Sequence, residues 1–138
     1  MTQAELNKRI KKITKKHDPA EALKRLYGYM YGYYGHSDLC TEIGNILIKQ
    51  GELIKAGKYI FFKEHLTEQD LNILANYYQS FGNESINILR DLIGSVYRSP
   101  KYVSLAGKER MLFMLNELKQ QNGHLPKFTL NWYRHFSK

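Results

Sequence analysis

The sequence predicts an all-α fold, one compact helical domain of about seven helices spanning residues 1–138, on three observations. Apolar residues recur every three or four positions along most of the chain, which is the spacing of one buried helix face. Residues that favour helix starts, such as Asp18 and Thr67, precede these runs. Glycines that favour helix ends, such as Gly82 and Gly123, follow them. With 43% hydrophobic residues, the chain has enough apolar side chains for a single core.

The N-terminal part, residues 1–17, is predicted to form a basic amphipathic helix. Its apolar positions are Leu6, Ile10, Ile13 and His17, at helical spacings of four, three and four. The next helix begins at Asp18-Pro19, with Asp18 as the N-cap and proline at the first helical position, where its missing N–H costs nothing. Glu21 is placed to complete a capping box with Asp18.

The stretch RLYGYMYGYYGHSD, Arg25 to Asp38, carries five tyrosines and three glycines. Its tyrosines alternate as they would in a strand, but the cap upstream favours a helix that ends at Gly35. In the helical register the buried stripe consists of Leu23, Leu26, Tyr27, Met30 and Tyr34. Gly28 and Gly32 then lie one above the other. Since each glycine in a helix interior costs about 0.5–1 kcal/mol, the pair predicts close approach of another backbone.

Further helices follow by the same reasoning, within residues 20–98 and then residues 104–138. Their predicted core positions are Leu39, Ile43, Ile46 and Leu47; then Leu53, Ala56, Tyr59 or Ile60, and Phe62; then Leu71, Leu74, Ala75, Tyr78 and Phe81; then Ile86, Leu89, Ile93, Val96 and Tyr97. After a loop near Pro100, the C-terminal helices place Met111, Leu112, Leu115 and Leu118, and then Trp132, Tyr133 and Phe136, in the core.

The segment EIGNILIKQGELIKAGKYIFF, Glu42 to Phe62, resembles a tetratricopeptide unit. It has glycine in the first helix, glycine and an acidic residue at the turn, and a small residue in the second helix, at Gly44, Gly51, Glu52 and Ala56. Leu47 and Ile60 occupy the large apolar sites of the unit. The resemblance implies that residues 20–98 form stacked antiparallel helix pairs.

The runs AGKYIFF and YYQSFGN also look like those of small bacterial helical proteins of uncharacterised function that share one such unit. This resemblance implies a helical fold and a bacterial or phage origin. It implies no activity and supplies no site residues.

Positive charge is concentrated at the two ends of a chain whose formal net charge is +8. Residues 1–25 have a net charge of +5, and their basic side chains are Lys8, Arg9, Lys11, Lys12, Lys15, Lys16, Lys24 and Arg25. Residues 119–138 add Lys119, Lys127, Arg134 and Lys138 without an acid. If the ends meet, they form one basic face for an acidic partner; otherwise they are solvated helix ends that aid solubility.

The sequence favours binding over catalysis and implies no metal or cofactor. The five histidines are scattered singly, without the spacing of a metal site. Cys40, the sole cysteine, lies four residues after His36, but it occupies a position where the repeat pattern expects a small buried residue. No apolar run reaches the roughly 20 residues of a membrane span, and we expect a cytoplasmic protein.

Two classes of partner remain open. Exposed tyrosines are common interface anchors, and Tyr29, Tyr31 and Tyr33 cannot easily all be buried. This favours a protein-binding module, by analogy an inhibitor or an immunity or antitoxin-type protein that occludes an acidic partner. The alternative is nucleic-acid binding, in which the basic termini contact phosphates and aromatic side chains such as Trp132 stack on bases.

Overall fold

The computed structural model describes residues 1–94 and 98–138, and within them the chain forms eight α-helices and no strand, which confirms the all-α prediction. The helices are α1 (Gln3–Lys16), α2 (Pro19–Tyr33), α3 (Ser37–Lys49), α4 (Leu53–Ile60), α5 (Glu68–Gln79), α6 (Ser85–Ile93), α7 (Leu105–Asn122) and α8 (Leu130–Phe136). Short 3₁₀ turns at Pro100–Tyr102 and Lys127–Thr129 precede and follow α7. Val96 and Tyr97, predicted to extend α6, lie outside the described residues. No helix in the described ranges combines the length and apolarity that a membrane span requires.

The helix boundaries follow the local capping chemistry. The Asp18 carboxylate accepts the backbone N–H of Glu21 at 2.9 Å and so caps α2. Glu21 does not complete the predicted capping box, because its carboxylate pairs with Arg25 instead. Thr67 and Asp70 form the predicted capping box at the start of α5. Gly35 follows α2 with a φ of +81°, a conformation that glycine adopts without steric cost.

The helices pack into two hydrophobic clusters that share a boundary. The N-terminal cluster joins α1, α2, α3 and α4 and contains Leu6, Ile10, Leu26, Leu39, Ile43, Leu47 and Ile60. The C-terminal cluster contains Tyr34, Phe61, Phe62, Tyr77, Leu89, Met111 and Trp132. Met30, Tyr59 and Leu66 pack against both clusters. The core is therefore continuous across the described residues.

The α3 and α4 helices form the helix pair expected for residues 42–62. They pack closely against each other, and Gly51 in the turn between them has a φ of +77°. This geometry is compatible with a tetratricopeptide-like unit. Stacking of the whole 20–98 segment in such units stays a prediction.

The predicted core positions of α4 and α5 are partly wrong. Leu53 and Leu71, both assigned to the core, are 42% and 54% exposed. The buried apolar side chains of α5 are Leu74, as predicted, together with Ile73 and Tyr77. The buried face of α5 differs from the predicted one because α5 packs Tyr77 against α4, at Gly57, which has no side chain.

The prediction that Gly28 and Gly32 permit close helix packing is also wrong. A Cβ atom added to either glycine would have no heavy atom within 4 Å, apart from atoms of the adjacent residues and of the helix's own backbone. Both glycines are exposed, because they lie on the edge of α2 away from its buried stripe. The close approaches occur at Gly57, against Tyr77, and at Gly107, against Phe62.

Candidate basic groove

All eight basic residues predicted in the N-terminal region are exposed to solvent. They are Lys8, Arg9, Lys11, Lys12, Lys15, Lys16, Lys24 and Arg25. The six on α1 are exposed because this helix buries its opposite face, where Leu6 and Ile10 enter the core. Within residues 1–94 and 98–138, one of the eight, Arg25, forms an ion pair.

Three of these cations line a groove between α1 and α2, which we call the α1–α2 groove. Arg9, Lys12 and Ile13 contribute one wall from α1. Arg25, Gly28 and Tyr29 contribute the other wall from α2, and the groove has a volume of ≈ 480 Å³. The structure thus brings four predicted binding residues, Arg9, Lys12, Arg25 and Tyr29, to one place. The groove combines cations, an aliphatic side chain and an aromatic ring.

Both arginines of the groove interact with a polar side chain of α2. For Arg9, a side-chain hydrogen bond with Tyr29 is the main cause that raises the pKa above its ordinary value. Arg25 Nε lies 3.0 Å from Glu21 Oε1, and both side chains are exposed. Exposed ion pairs of this kind contribute only about 0–1 kcal/mol, so a competing carboxylate can replace Glu21.

The three candidate tyrosines of α2 differ in exposure. Tyr31 is 80% exposed and lies on the outward face of the helix, which confirms that at least one of them reaches the surface. Tyr29 is half-buried beside the α1–α2 groove. Tyr33 is half-buried as well, and its ring packs against Tyr102 with 4.9 Å between centroids. Tyr31 is therefore the tyrosine most available to a partner.

Trp132 lies in the core, as predicted for the last helix, and this corrects its second assignment as a partner-binding residue. It is 3% exposed. Its ring meets Tyr34 and Phe136 edge to face, with centroids 6.0 and 5.9 Å away. The short α8 helix has one apolar stripe, and Trp132 lies on it because α8 packs against α7. Base stacking by Trp132 would require unpacking of this helix.

The two basic ends belong to separate parts of the fold. The α1 helix packs against α2 and α3, whereas α8 packs against α7 and the two 3₁₀ turns. Lys119 lies over the ring of Tyr133 at 5.2 Å, and Lys127 and Arg134 are exposed. We therefore treat the N-terminal and C-terminal bases as two surfaces.

Cys40 and His36, the two residues considered for nucleophilic chemistry, are buried and have structural roles. Cys40 is fully buried, as predicted, and burial raises the pKa of its thiol far above the usual range. His36 accepts the Leu39 backbone N–H at its Nδ1 atom, 3.4 Å away, and so caps α3. Burial lowers the pKa of His36 below its ordinary value of 6.5. In the described ranges, no three His, Cys, Asp or Glu side chains are grouped as metal ligands.

The roles of Ile13 and Gly28 in the groove differ from those predicted from the sequence. Ile13 was assigned to the core, but it is half-buried and lines the groove. Gly28 was assigned to helix packing, but it leaves the α2 wall open. The available signal was the spacing along α2, because Gly28 and Tyr29 lie three and four residues after Arg25 and so are its neighbours on the helix surface.

A match to a protein family covers nearly the whole chain. The model of the Family of unknown function (DUF6584) matches residues 1–134. No curated protein and no solved structure gives a significant match to the chain. Because the family model matches residues 1–134, the chain belongs to the DUF6584 family.

Proposed function

We propose that this protein is a non-catalytic binding module that occludes a partner protein through the exposed basic surface of α1 and α2. It acts as an inhibitor or as an immunity or antitoxin-type protein, of bacterial or phage origin, in the cytoplasm. The partner presents an acidic surface to this face.

The observation that carries the proposal is the mixed chemistry of the α1–α2 groove. Arginine and tyrosine are the residue types that contribute most to protein interfaces, and here Arg9, Arg25 and Tyr29 lie together. Tyr31 extends from the same helix, 80% exposed. The surrounding lysines of α1 would speed association with an acidic partner and would make it sensitive to salt.

A photo-crosslinking experiment tests this function and identifies the partner. The photoreactive residue p-benzoylphenylalanine replaces Tyr31 in one variant and Phe113 in the control. Phe113 is 71% exposed on α7 and lies far along the chain from the basic surface. Because both positions are exposed, both tolerate the bulky residue. Each variant is irradiated in lysate of the source cells, with and without nuclease.

We expect a defined protein adduct from position 31 that survives nuclease and is absent from position 113. The adduct should diminish as salt rises, and also when Lys8, Arg9, Lys11, Lys12, Lys15 and Lys16 are changed to glutamine together. Equal adducts from both positions would contradict the proposal. Recovery of nucleic acid alone, lost on nuclease treatment, would favour the nucleic-acid alternative.

A further inference from the structure

We propose that the α1–α2 groove binds a short acidic peptide segment that carries an apolar side chain next to its carboxylates. This inference rests on the proposed protein-binding function. It specifies which part of the basic surface recognises the partner and what chemistry the groove selects.

The charged half of the groove suits carboxylates. Arg9 and Lys12 are three residues apart on α1, so they project from one side of that helix, and Arg25 faces them from α2. A guanidinium can hold a carboxylate through two parallel hydrogen bonds. Glu21 already accepts one hydrogen bond from Arg25 Nε, at 3.0 Å. A carboxylate of the partner can therefore replace an interaction that the protein itself makes.

The other half of the groove suits an apolar side chain. Ile13 and Tyr29 are half-buried and present carbon surface to the groove. Gly28 adds no side chain, and a Cβ atom at this position would meet nothing within 4 Å. The volume of ≈ 480 Å³ falls within the range of about 300–1,000 Å³ that is common for ligand sites. One leucine-sized or phenylalanine-sized side chain with its flanking backbone fits this space.

The composition of the groove favours a peptide over a nucleic-acid backbone. Binding of a phosphate chain gains most from a continuous line of cations. Here half of the lining is uncharged, and the pair with Glu21 places a carboxylate beside Arg25. The other four α1 bases, Lys8, Lys11, Lys15 and Lys16, do not line the groove. Lys8, Lys11 and Lys15 lie next to the groove residue Lys12 on α1 without lining the groove, so they provide a control set with the same number of charges.

The test is a titration of the ¹⁵N-labelled full chain, followed by NMR, with three probes. The probes are a twelve-residue peptide of alternating glutamate and leucine, a dodecaglutamate, and a twelve-residue oligothymidylate. We expect the alternating peptide to bind most tightly and to shift the amide resonances of Gly28 and Tyr29. Changing Arg9, Lys12 and Arg25 to glutamine should weaken its binding by about tenfold, because groove cations make direct contacts.

Two further variants separate the groove from general charge. Changing Lys8, Lys11 and Lys15 to glutamine removes the same number of charges from residues of α1 that do not line the groove, and we expect less than about a twofold loss. Gly28→Leu keeps every charge and adds a good helix former, but it fills the open wall and should weaken binding by about fivefold or more. Preserved amide dispersion in each variant verifies that the fold is intact.

Equal losses of affinity in the two triple variants would show that binding depends on overall charge and not on the groove, and would overturn the inference. Equal affinities for dodecaglutamate and for the alternating peptide would do the same. Tighter binding of the oligothymidylate would overturn it as well. If the probes fail while the Tyr31 crosslink to a protein partner persists, peptide recognition in the groove is wrong and the proposed function stands. If the crosslink is also absent, both proposals are wrong.

Discussion

Gly57 in α4 lies against Tyr77 in α5 with no space for a methyl group between them. A Cβ atom at Gly57 would come closer than 3.0 Å to both Cβ and Cγ of Tyr77. Tyr77 is itself fixed, because its ring packs edge to face on Phe81 and its hydroxyl donates to the Asp91 carboxylate. This contact sets the rotation of α5 and determines which of its side chains enter the core.

We expect Gly57→Ala to destabilise the protein by about 1–3 kcal/mol, because the added methyl group must displace a packed tyrosine. Gly28→Ala is the matched control, since Gly28 is helical and has open space around it. That substitution should stabilise the protein by about 0.5–1 kcal/mol through the better helix propensity of alanine. Urea denaturation of both variants measures the two free energies of unfolding. Equal effects of the same sign would contradict the structure.

The position of Trp132 in the core leads to a second prediction. Trp132→Ala should lower the free energy of unfolding by about 3–5 kcal/mol, because it removes a large buried aromatic side chain. Tyr31→Ala, at an 80% exposed position, should change it by less than about 0.5 kcal/mol. Chemical denaturation followed by circular dichroism measures both. A surface role for Trp132 would instead give two similarly small changes.

Trp132 is also the sole tryptophan, so its fluorescence gives an independent check. Its emission should be that of an apolar environment in the folded protein and should shift to longer wavelength on unfolding. Iodide, a quencher that reaches only exposed rings, should have little effect before unfolding.

Most of the fold could be predicted because it depends on local signals. Asp18, Thr67 and Gly123 act within their own helix ends, and the cap at Asp18 correctly assigned the tyrosine stretch to a helix. These signals involve neighbours three or four residues apart. They do not depend on which helices meet in the folded chain.

The errors concern contacts between helices. Nothing local to α5 indicates that Gly57 will lie opposite Tyr77, so the buried stripe was placed on Leu71 and Ala75. The groove depends likewise on α1 lying beside α2. The individual cations were predicted, but which of them line the groove depends on the packing of the two helices.

His36 makes the stability of the protein sensitive to mild acid. Burial lowers the pKa of His36 in the folded state below the value of about 6.5 expected in the unfolded chain. As pH falls through 6.5, the unfolded chain therefore takes up the proton first, and the free energy of unfolding decreases. The decrease ends when the pH reaches the lowered folded-state pKa. Protonation would also place a hydrogen on Nδ1, the atom that accepts the Leu39 N–H.

We expect His36→Asn to remove this part of the pH dependence, because asparagine caps a helix without titrating in this range. Urea denaturation between pH 7.5 and pH 5 would show a smaller loss for the variant than for the wild type. His124→Asn is the control, since His124 is exposed, and it should retain the wild-type loss. Parallel losses in all three proteins would show that His36 is not the responsible group.

The ion pair between Lys63 and Asp70 stabilises the start of α5. Asp70 is buried, and its carboxylate accepts from Lys63 Nζ at 2.6 Å and from the Thr67 backbone N–H at 3.0 Å. Burial alone would raise the pKa of Asp70, but the hydrogen bonds from Lys63 and Thr67 lower it below the ordinary 3.8. A lowered carboxyl pKa contributes stability above the unfolded-state value, and this contribution is lost as pH falls towards the folded-state value.

Asp70→Asn should therefore lower the free energy of unfolding at pH 7 by about 1–3 kcal/mol, because Lys63 loses its buried counter-charge. The difference from the wild type should persist down to about pH 4 and shrink below it, since the Asp70 carboxylate of the unfolded chain then takes up protons before that of the folded protein. Glu68→Gln, at the exposed first position of α5, removes the same charge from the same helix and should cost only about 0.5 kcal/mol. The difference in free energy of unfolding between Asp70→Asn and the wild type can be compared down to pH 3. If it stays constant, hydrogen bonds that the protonated and the ionised carboxyl group both make, rather than the ion pair, stabilise the start of α5.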